Sequence, residues 1–176
     1  MAGIWNLDGE PVSREILASM SARMAHRGPD GETFWIQGEA GFAYQMMKVQ
    51  PESASERQPL EHPAGITLVY DGRLDNREEL LQKLPHSAGV SSASPDPEIV
   101  MAMYREWGEG FAQHLVGDIA LAIWDGSKRR MLLARDVMAG RTLYHCRFGN
   151  TFLFATEIKT LLAHPLVNTA PNDWAL

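Results

Sequence analysis

The residue types with the widest chemical repertoire, cysteine and histidine, are sparse in this sequence. Cys146 is the only cysteine, so the chain cannot form an intrachain disulfide and lacks the thiolates of a cysteine-based zinc site. The six histidines are scattered, and no two are three or four residues apart, the spacing that places two metal ligands on one helix face. The sequence therefore predicts no resident metal and structural roles for its histidines.

Charged residues gather instead in short motifs between apolar runs. The motifs lie at residues 26–31 (HRGPDG), 70–76 (YDGRLDN), 96–98 (DPE), 133–136 (LARD) and 156–159 (TEIK). The first is similar to an active-site loop, but a turn that locks sheet edges needs the same glycine and proline, and we favour that backbone role. The pairs Arg135-Asp136 and Glu157-Lys159 are predicted either to form ion pairs or to face a partner domain.

Apolar spacing predicts the elements that position these motifs. Helices are predicted over 14–25 with Ser13 as N-cap, 77–84 with Asn76 as N-cap, 97–107 with Asp96 as N-cap, and 157–164. Strands are predicted at the N-terminus and over 33–36, 41–49, 66–70, 118–124, 131–135, 143–147 and 152–155, the fourth ending at Asp71-Gly72. Methionines 20, 24, 46, 47, 101 and 103 are predicted to fill the core. This alternation indicates an α+β domain with largely antiparallel sheets.

Length and charge narrow the class of protein. A chain of 176 residues with 45% hydrophobic residues is typical of one globular domain. The net charge of −6, with both signs interspersed, argues against nucleic acid and membrane surfaces as partners. The longest apolar run, residues 119–124, has strand length, and no secretion signal is evident. A cytoplasmic location is expected.

Taken in order, these motifs and the Gln58-Pro59, 115–125 and 143–144 segments resemble the N-terminal, glutaminase-type domain of glutamine-dependent asparagine synthetases. The resemblance covers essentially the whole chain. It implies a class II glutamine amidotransferase with the N-terminal-nucleophile hydrolase fold, a four-layer αββα sandwich of two mainly antiparallel sheets. It assigns residues 1–165 to this domain and 166–176 to the start of a linker toward an ATP-binding synthetase domain.

In that family the nucleophile is a cysteine exposed as residue 1 when the initiator methionine is removed. A thiol beside a free α-amine combines nucleophile and base in one residue. The matching residue here is Ala2, which has no atom able to attack an amide. Cys146 cannot substitute, because it lies in a predicted strand and has no free amine.

The resemblance also places other pocket residues, of which several differ from the family pattern. Met46 stands where the family has the arginine that pairs with the substrate carboxylate. Asp71 and Arg73 replace the asparagine and glutamate of the family's N-G-E segment. An ionised Asp71 would repel the oxyanion that develops in the reaction. Loss of a single neutral hydrogen-bond donor to that oxyanion already raises the activation barrier by about 3 kcal/mol. Gly72 and Asp96 match the family, and Asp71 and Arg73 are predicted to form a local ion pair.

These departures predict a naturally degenerate, non-catalytic domain with a vestigial pocket. Asparagine synthetase relatives that form an internal amide, such as lasso-peptide cyclases and β-lactam-forming synthetases, need no ammonia, and the segments at 71–76 and 50–53 most resemble the lasso-cyclase branch. The expected partner is a synthetase domain or subunit that uses ATP and Mg²⁺, with a precursor peptide as a further candidate; no cofactor is expected in this chain.

Two alternatives stay open. One is a genuine glutamine-hydrolysing amidotransferase domain in which the nucleophile has been replaced by Ala2, for instance to trap a substrate. The other is a stand-alone binding or scaffold subunit whose partner supplies the chemistry. A reading frame that continued beyond Leu176 into a pyrophosphate-binding loop would argue against the stand-alone subunit.

Overall fold

The chain folds into two stacked antiparallel sheets with helices on their outer faces, in a computed structural model that describes residues 1–48, 53 and 55–170. The strands are β1 (Ala2–Asn6), β2 (Gly31–Gln37), β3 (Ala40–Met46), β4 (Leu60–His62), β5 (Ile66–Leu74), β6 (Gly117–Asp125), β7 (Arg130–Arg135), β8 (Tyr144–Phe148) and β9 (Thr151–Ala155). The helices are α1 (Arg14–Ala22), α2 (Arg77–Lys83), α3 (Asp96–Trp107) and α4 (Ile158–Leu161). The first sheet has the order β2-β3-β1-β9-β8 and the second β4-β5-β6-β7.

Three apolar clusters hold the layers together. Aromatic residues dominate the cluster between the two sheets, where Phe42 contacts Phe154 at 5.5 Å between ring centroids and Trp5 meets Trp124 at 5.3 Å. A second cluster covers the first sheet with α1 and α4, and a third covers the second sheet with α2 and α3. Successive side chains of a strand point to opposite faces of the sheet. Each sheet therefore contributes apolar residues both to the cluster between the sheets and to a cluster beneath the helices, which confirms the α+β sandwich.

The N-terminal strand and the first helix form as predicted. Strand β1 is the middle strand of its sheet, paired with β3 on one side and β9 on the other. Helix α1 begins after Ser13, whose side chain accepts a hydrogen bond from the backbone N–H of Ile16. The predicted strand over 41–49 ends at Met46, and Val49 and residues 50–52 of the loop lie outside the described residues.

Strand β5 is longer than predicted, because it continues through the Asp71-Gly72 pair to Leu74. The partner strand β6 pairs along its whole length, so Asp71 lies opposite Ala120 and Gly72 opposite Ile119. A Cβ atom at position 72 would lie 2.2 Å from the carbonyl oxygen of Asp118. Gly72 therefore permits the close pairing of β5 with β6. The interpretation of Asp71-Gly72 as the end of the strand did not predict this pairing.

Two predicted helix features are wrong. Asp96 lies inside the first turn of α3, and the N-cap is Pro95. The Asp96 carboxylate does not cap the helix. It accepts a hydrogen bond from the backbone N–H of Leu74 and pairs with Arg77. The closing helix α4 is a single turn and ends at Leu161. Strand β4 was not predicted. Within the described residues, no helix is long and apolar enough to cross a membrane.

Candidate functional site

A cavity of about 440 Å³ opens at one end of the sandwich, where the N-terminus, the second sheet and three connecting segments meet. Its lining residues are Met1, His26, Arg27, Tyr44, Gln45, Met47, Ser53, Glu56, Tyr70, Asp71, Gly72, Asp96 and Arg141. Its volume falls within the range of small-molecule pockets. In the part of the chain that the structure describes, no group of three histidine, cysteine, aspartate or glutamate residues could hold a metal ion.

Two arginines from distant parts of the chain converge on Asp71 at the cavity mouth. The Asp71 carboxylate lies 3.6 Å from a guanidinium nitrogen of Arg27 and 3.3 Å from one of Arg141. Arg27 also lies 3.8 Å from Glu157. The predicted pair between Asp71 and Arg73 is therefore wrong, because Arg73 leaves the cavity and pairs with Asp75 at 2.7 Å.

The segments that carry these arginines are held by backbone contacts. Gly28 follows Arg27, and a Cβ atom there would lie 2.2 Å from the carbonyl carbon of Gln45, which supports the backbone role predicted for this glycine. Asp136 accepts hydrogen bonds from the N–H groups of Gly140 and Arg141 and so fixes the loop before β8. No ion pair joins Asp136 to Arg135 among the described residues.

A charged cluster at the rim surrounds Glu157. Its carboxylate lies 3.0 Å from His26 and 3.1 Å from Lys159, which confirms the ion pair predicted within residues 156–159. The predicted core role of the methionines holds for Met20, Met24, Met101 and Met103, which are buried. It is wrong for Met47, which is 57% exposed and lines the cavity.

Two tyrosines and a glutamate form the inner polar end of the cavity. Gln58 binds the backbone of Tyr70 at both its N–H and its carbonyl, at 2.6 and 2.8 Å, while the Tyr70 hydroxyl is buried and has no hydrogen-bond partner among the described residues. The Tyr44 hydroxyl lies 3.5 Å from Glu56. Burial raises the pKa of both phenols and of the Glu56 carboxyl, so the two tyrosines remain protonated donors.

The first residue of the chain also contributes to the cavity. The Met1 amine donates a hydrogen bond to the Thr156 hydroxyl at 3.1 Å. Burial lowers the pKa of this amine to about 6, so it is largely uncharged at neutral pH. An uncharged amine is a competent base, but no nucleophilic side chain follows it in Ala2.

The structure brings three of the six predicted pocket residues to the cavity: Asp71, Gly72 and Asp96. Ala2 is fully buried in the core beneath α1, opposite Ala43 and Ala155. Met46 is partly buried against the cluster between the sheets, and Arg73 is outside the cavity.

Sequence reasoning missed Arg27, Arg141, Tyr70 and Glu56 as cavity residues. The HRGPDG motif did draw attention to Arg27, but only its glycine and proline were given a role. Arg141 follows a predicted turn, and nothing local marks it, since 114 positions separate it from Arg27.

Two stacked antiparallel sheets, with the N-terminal strand beginning at a polar cavity, have the arrangement of the N-terminal-nucleophile hydrolase fold. Two solved structures share the fold: a glutamine phosphoribosylpyrophosphate amidotransferase from Bacillus subtilis (TM-score 0.73, 18% identity, 92% of this chain and 42% of that one) and an allosteric regulatory enzyme of purine biosynthesis (TM-score 0.72, 17% identity, covering the same shares). At these identities the likeness concerns the fold alone.

Within this class, the chain belongs to the glutamine amidotransferase domain family, whose model matches residues 1–176. It is 32% identical over 169 residues to an asparagine synthetase [glutamine-hydrolyzing] 2 of Bacillus subtilis, covering 94% of this chain and 22% of that protein. It is also 32% identical over 166 residues to the amidase chry2 of Gibberella zeae, covering 93% and 24%. The chain is thus an asparagine synthetase-like, class II amidotransferase domain that spans about a quarter of the length of these relatives.

Proposed function

We propose that this domain does not hydrolyse glutamine and instead serves as the N-terminal scaffold of an ATP-dependent, amide-forming enzyme. The observation that carries the proposal is the residue at the nucleophile position. Ala2 offers only a methyl group, which is fully buried between Ala43 and Ala155. Without a thiol beside the terminal amine, no glutamyl thioester can form.

The surroundings of the cavity support the same proposal. An oxyanion hole requires hydrogen-bond donors aimed at the developing charge, whereas the Asp71 carboxylate can only accept when ionised. Asp96 matches the family residue that holds the substrate α-amine. Here both of its oxygens are engaged, by the N–H of Leu74 and by the Arg77 guanidinium, so it offers little to a bound ammonium group.

The remaining chemistry is proposed to belong to a synthetase domain or subunit, consistent with relatives about four times as long as this chain. That domain would bind ATP and Mg²⁺ and activate a carboxylate. A substrate that already contains its own amine needs no ammonia, which explains how glutaminase chemistry could be lost without loss of amide formation. A lasso-peptide cyclase acting on a precursor peptide is the specific form that we propose.

The test is glutamate release from glutamine by the chain with Met1 removed, compared with Ala2→Cys and with Ala2→Cys/Asp71→Asn. We expect the wild type to release no glutamate above buffer and Ala2→Cys alone to restore none, because Asp71 still opposes the oxyanion. Glutamate release by the wild type would overturn the proposal. Robust release by Ala2→Cys would favour the alternative, an amidotransferase that has lost only its nucleophile. Circular dichroism would confirm that each variant is folded.

A further inference from the structure

The cavity contains an imbalance between hydrogen-bond acceptors and donors. Two of its three carboxylates accept close hydrogen bonds: Asp96 from Leu74 and Arg77, and Glu56 from the Gln58 side chain at 2.6 Å. The third, Asp71, makes long contacts with two guanidinium groups, whose positive charges would repel an ammonium group placed beside it. A ligand ammonium group would therefore find no carboxylate without an existing partner among these residues.

The two arginines of the cavity, by contrast, are incompletely paired. The contacts of Arg27 with Asp71 and Glu157 are long, at 3.6 and 3.8 Å, and Arg141 approaches Asp71 at 3.3 Å. Within residues 1–48, 53 and 55–170, neither guanidinium donates a well-formed hydrogen bond, although each carries five N–H groups. Both side chains are about one-third exposed, at 36%, so a ligand can reach them.

From this inventory we propose that the cavity binds a small carboxylate that lacks an ammonium group. Arg27 and Arg141 hold the carboxylate, whose two oxygens match the planar fork of a guanidinium. Asp71 and Glu157 contact these guanidinium groups only at 3.3–3.8 Å, so a ligand carboxylate can add to these contacts or replace them. The inference rests on the proposed loss of glutamine hydrolysis, since a working glutaminase must also hold the substrate's ammonium group.

Calorimetric titration of the 176-residue chain with glutaramate and with L-glutamine tests the inference, because the two molecules differ only in the α-ammonium group. We expect glutaramate to bind about tenfold more tightly or better, since the ammonium of glutamine must lose its water without gaining a free acceptor. Equal or tighter binding of glutamine would overturn the inference. So would equally effective displacement of glutaramate by inorganic phosphate, which would identify a general anion site.

Two variants locate the ligand. Arg27→Met and Arg141→Met should each weaken glutaramate binding about tenfold. The matched control is Arg147→Met on β8, an exposed arginine that bonds the carbonyl of Gly149 outside the cavity; binding should stay unchanged. Unchanged affinity in both cavity variants would overturn the assignment.

The ligand assignment and the proposed function fail in different experiments. Glutamate release by the wild type overturns the proposed function, whatever binds in the cavity. Absence of glutaramate binding, in a chain that also releases no glutamate, overturns the ligand class alone.

Discussion

Two carboxylates on the central strands of the second sheet, Asp125 on β6 and Asp71 on β5, have opposite surroundings. Asp125 ends its strand, is buried and accepts hydrogen bonds from Tyr104 at 2.9 Å and from Ser127 at 2.7 Å, with the Lys128 ammonium at 2.9 Å. Asp71 lies toward the opposite end of the neighbouring strand and makes longer contacts with two arginines.

The contrast separates a structural polar network from a candidate binding site. Around Asp125 the donors and acceptors satisfy each other, so the network stabilises the turn that joins β6 to β7. Around Asp71, Arg27 and Arg141 donate no well-formed hydrogen bond within the part of the chain that the structure describes. Polar groups that the protein leaves incompletely paired in a cavity are the ones available to a ligand.

The largest expected effect concerns the close backbone contact of Gly28, beside the cavity residue Arg27. Gly28→Ala places a methyl group against the backbone of Gln45 and Met46, with separations of 2.2–2.5 Å, and should lower the free energy of unfolding by about 3 kcal/mol. Gly110→Ala is the control, because an added Cβ there meets no atom within 4 Å. Urea denaturation measures both, and similar losses for the two variants would contradict the tight contact at Gly28.

The next effect compares the two carboxylates directly. Burial alone would raise the pKa of Asp125, but hydrogen bonds from Ser127, Lys128 and Tyr104 outweigh it and lower the pKa from 3.8 to about 2. Because the folded-state pKa lies below the unfolded value, the ionised form stabilises the fold above about pH 4, and that contribution of about 2 kcal/mol is lost as the pH falls toward 2.

Asp125→Asn should therefore cost about 2 kcal/mol at pH 7 and progressively less as the pH falls from 4 toward 2. Asp71→Asn should cost about 1 kcal/mol or less, since its ion pairs are long and partly exposed. Denaturant titrations of both variants between pH 2 and 7 provide the measurement. An equal cost for the two substitutions would remove the distinction between the two ends of the sheet.

The smallest effect concerns two buried tyrosines. Tyr104→Phe removes the hydroxyl that donates to Asp125 and should cost about 1–2 kcal/mol. Tyr70→Phe removes a hydroxyl for which residues 1–48, 53 and 55–170 supply no hydrogen-bond partner and should be neutral or slightly stabilising, by up to about 1 kcal/mol. A larger loss in Tyr70→Phe than in Tyr104→Phe, measured by thermal unfolding, would show that the Tyr70 hydroxyl does have a structural partner.

Much of the fold could be predicted from the sequence because its signals are local. Ser13 before an apolar repeat, and the turns between strands, report on their own neighbours, and the structure agrees there. Asp96 shows where this reasoning ends: its position before Pro97 is typical of an N-cap, but the backbone N–H that it binds belongs to Leu74, 22 residues earlier. Nothing in the residues around Asp96 indicates that a backbone N–H from a distant part of the chain binds its carboxylate.

The cavity was predictable only in part for the same reason. The resemblance to asparagine synthetases identified Asp71, Gly72 and Asp96, which do line it. Arg73 turns away from the cavity and pairs with Asp75, a contact that the resemblance does not reveal. The convergence of Arg27 and Arg141 depends on how a turn and a loop pack across the end of the sandwich, which no spacing of residues encodes.

The central position of β1 has an evolutionary consequence. This strand closes two ladders at once, with β3 and with β9, so deleting it would leave two unpaired edges in the middle of a sheet. A substitution at residue 2 can change the chemistry of the site while leaving the architecture whole, whereas shortening the segment would destroy the domain. Selection for folding alone is then enough to preserve this strand, whether or not residue 2 takes part in catalysis.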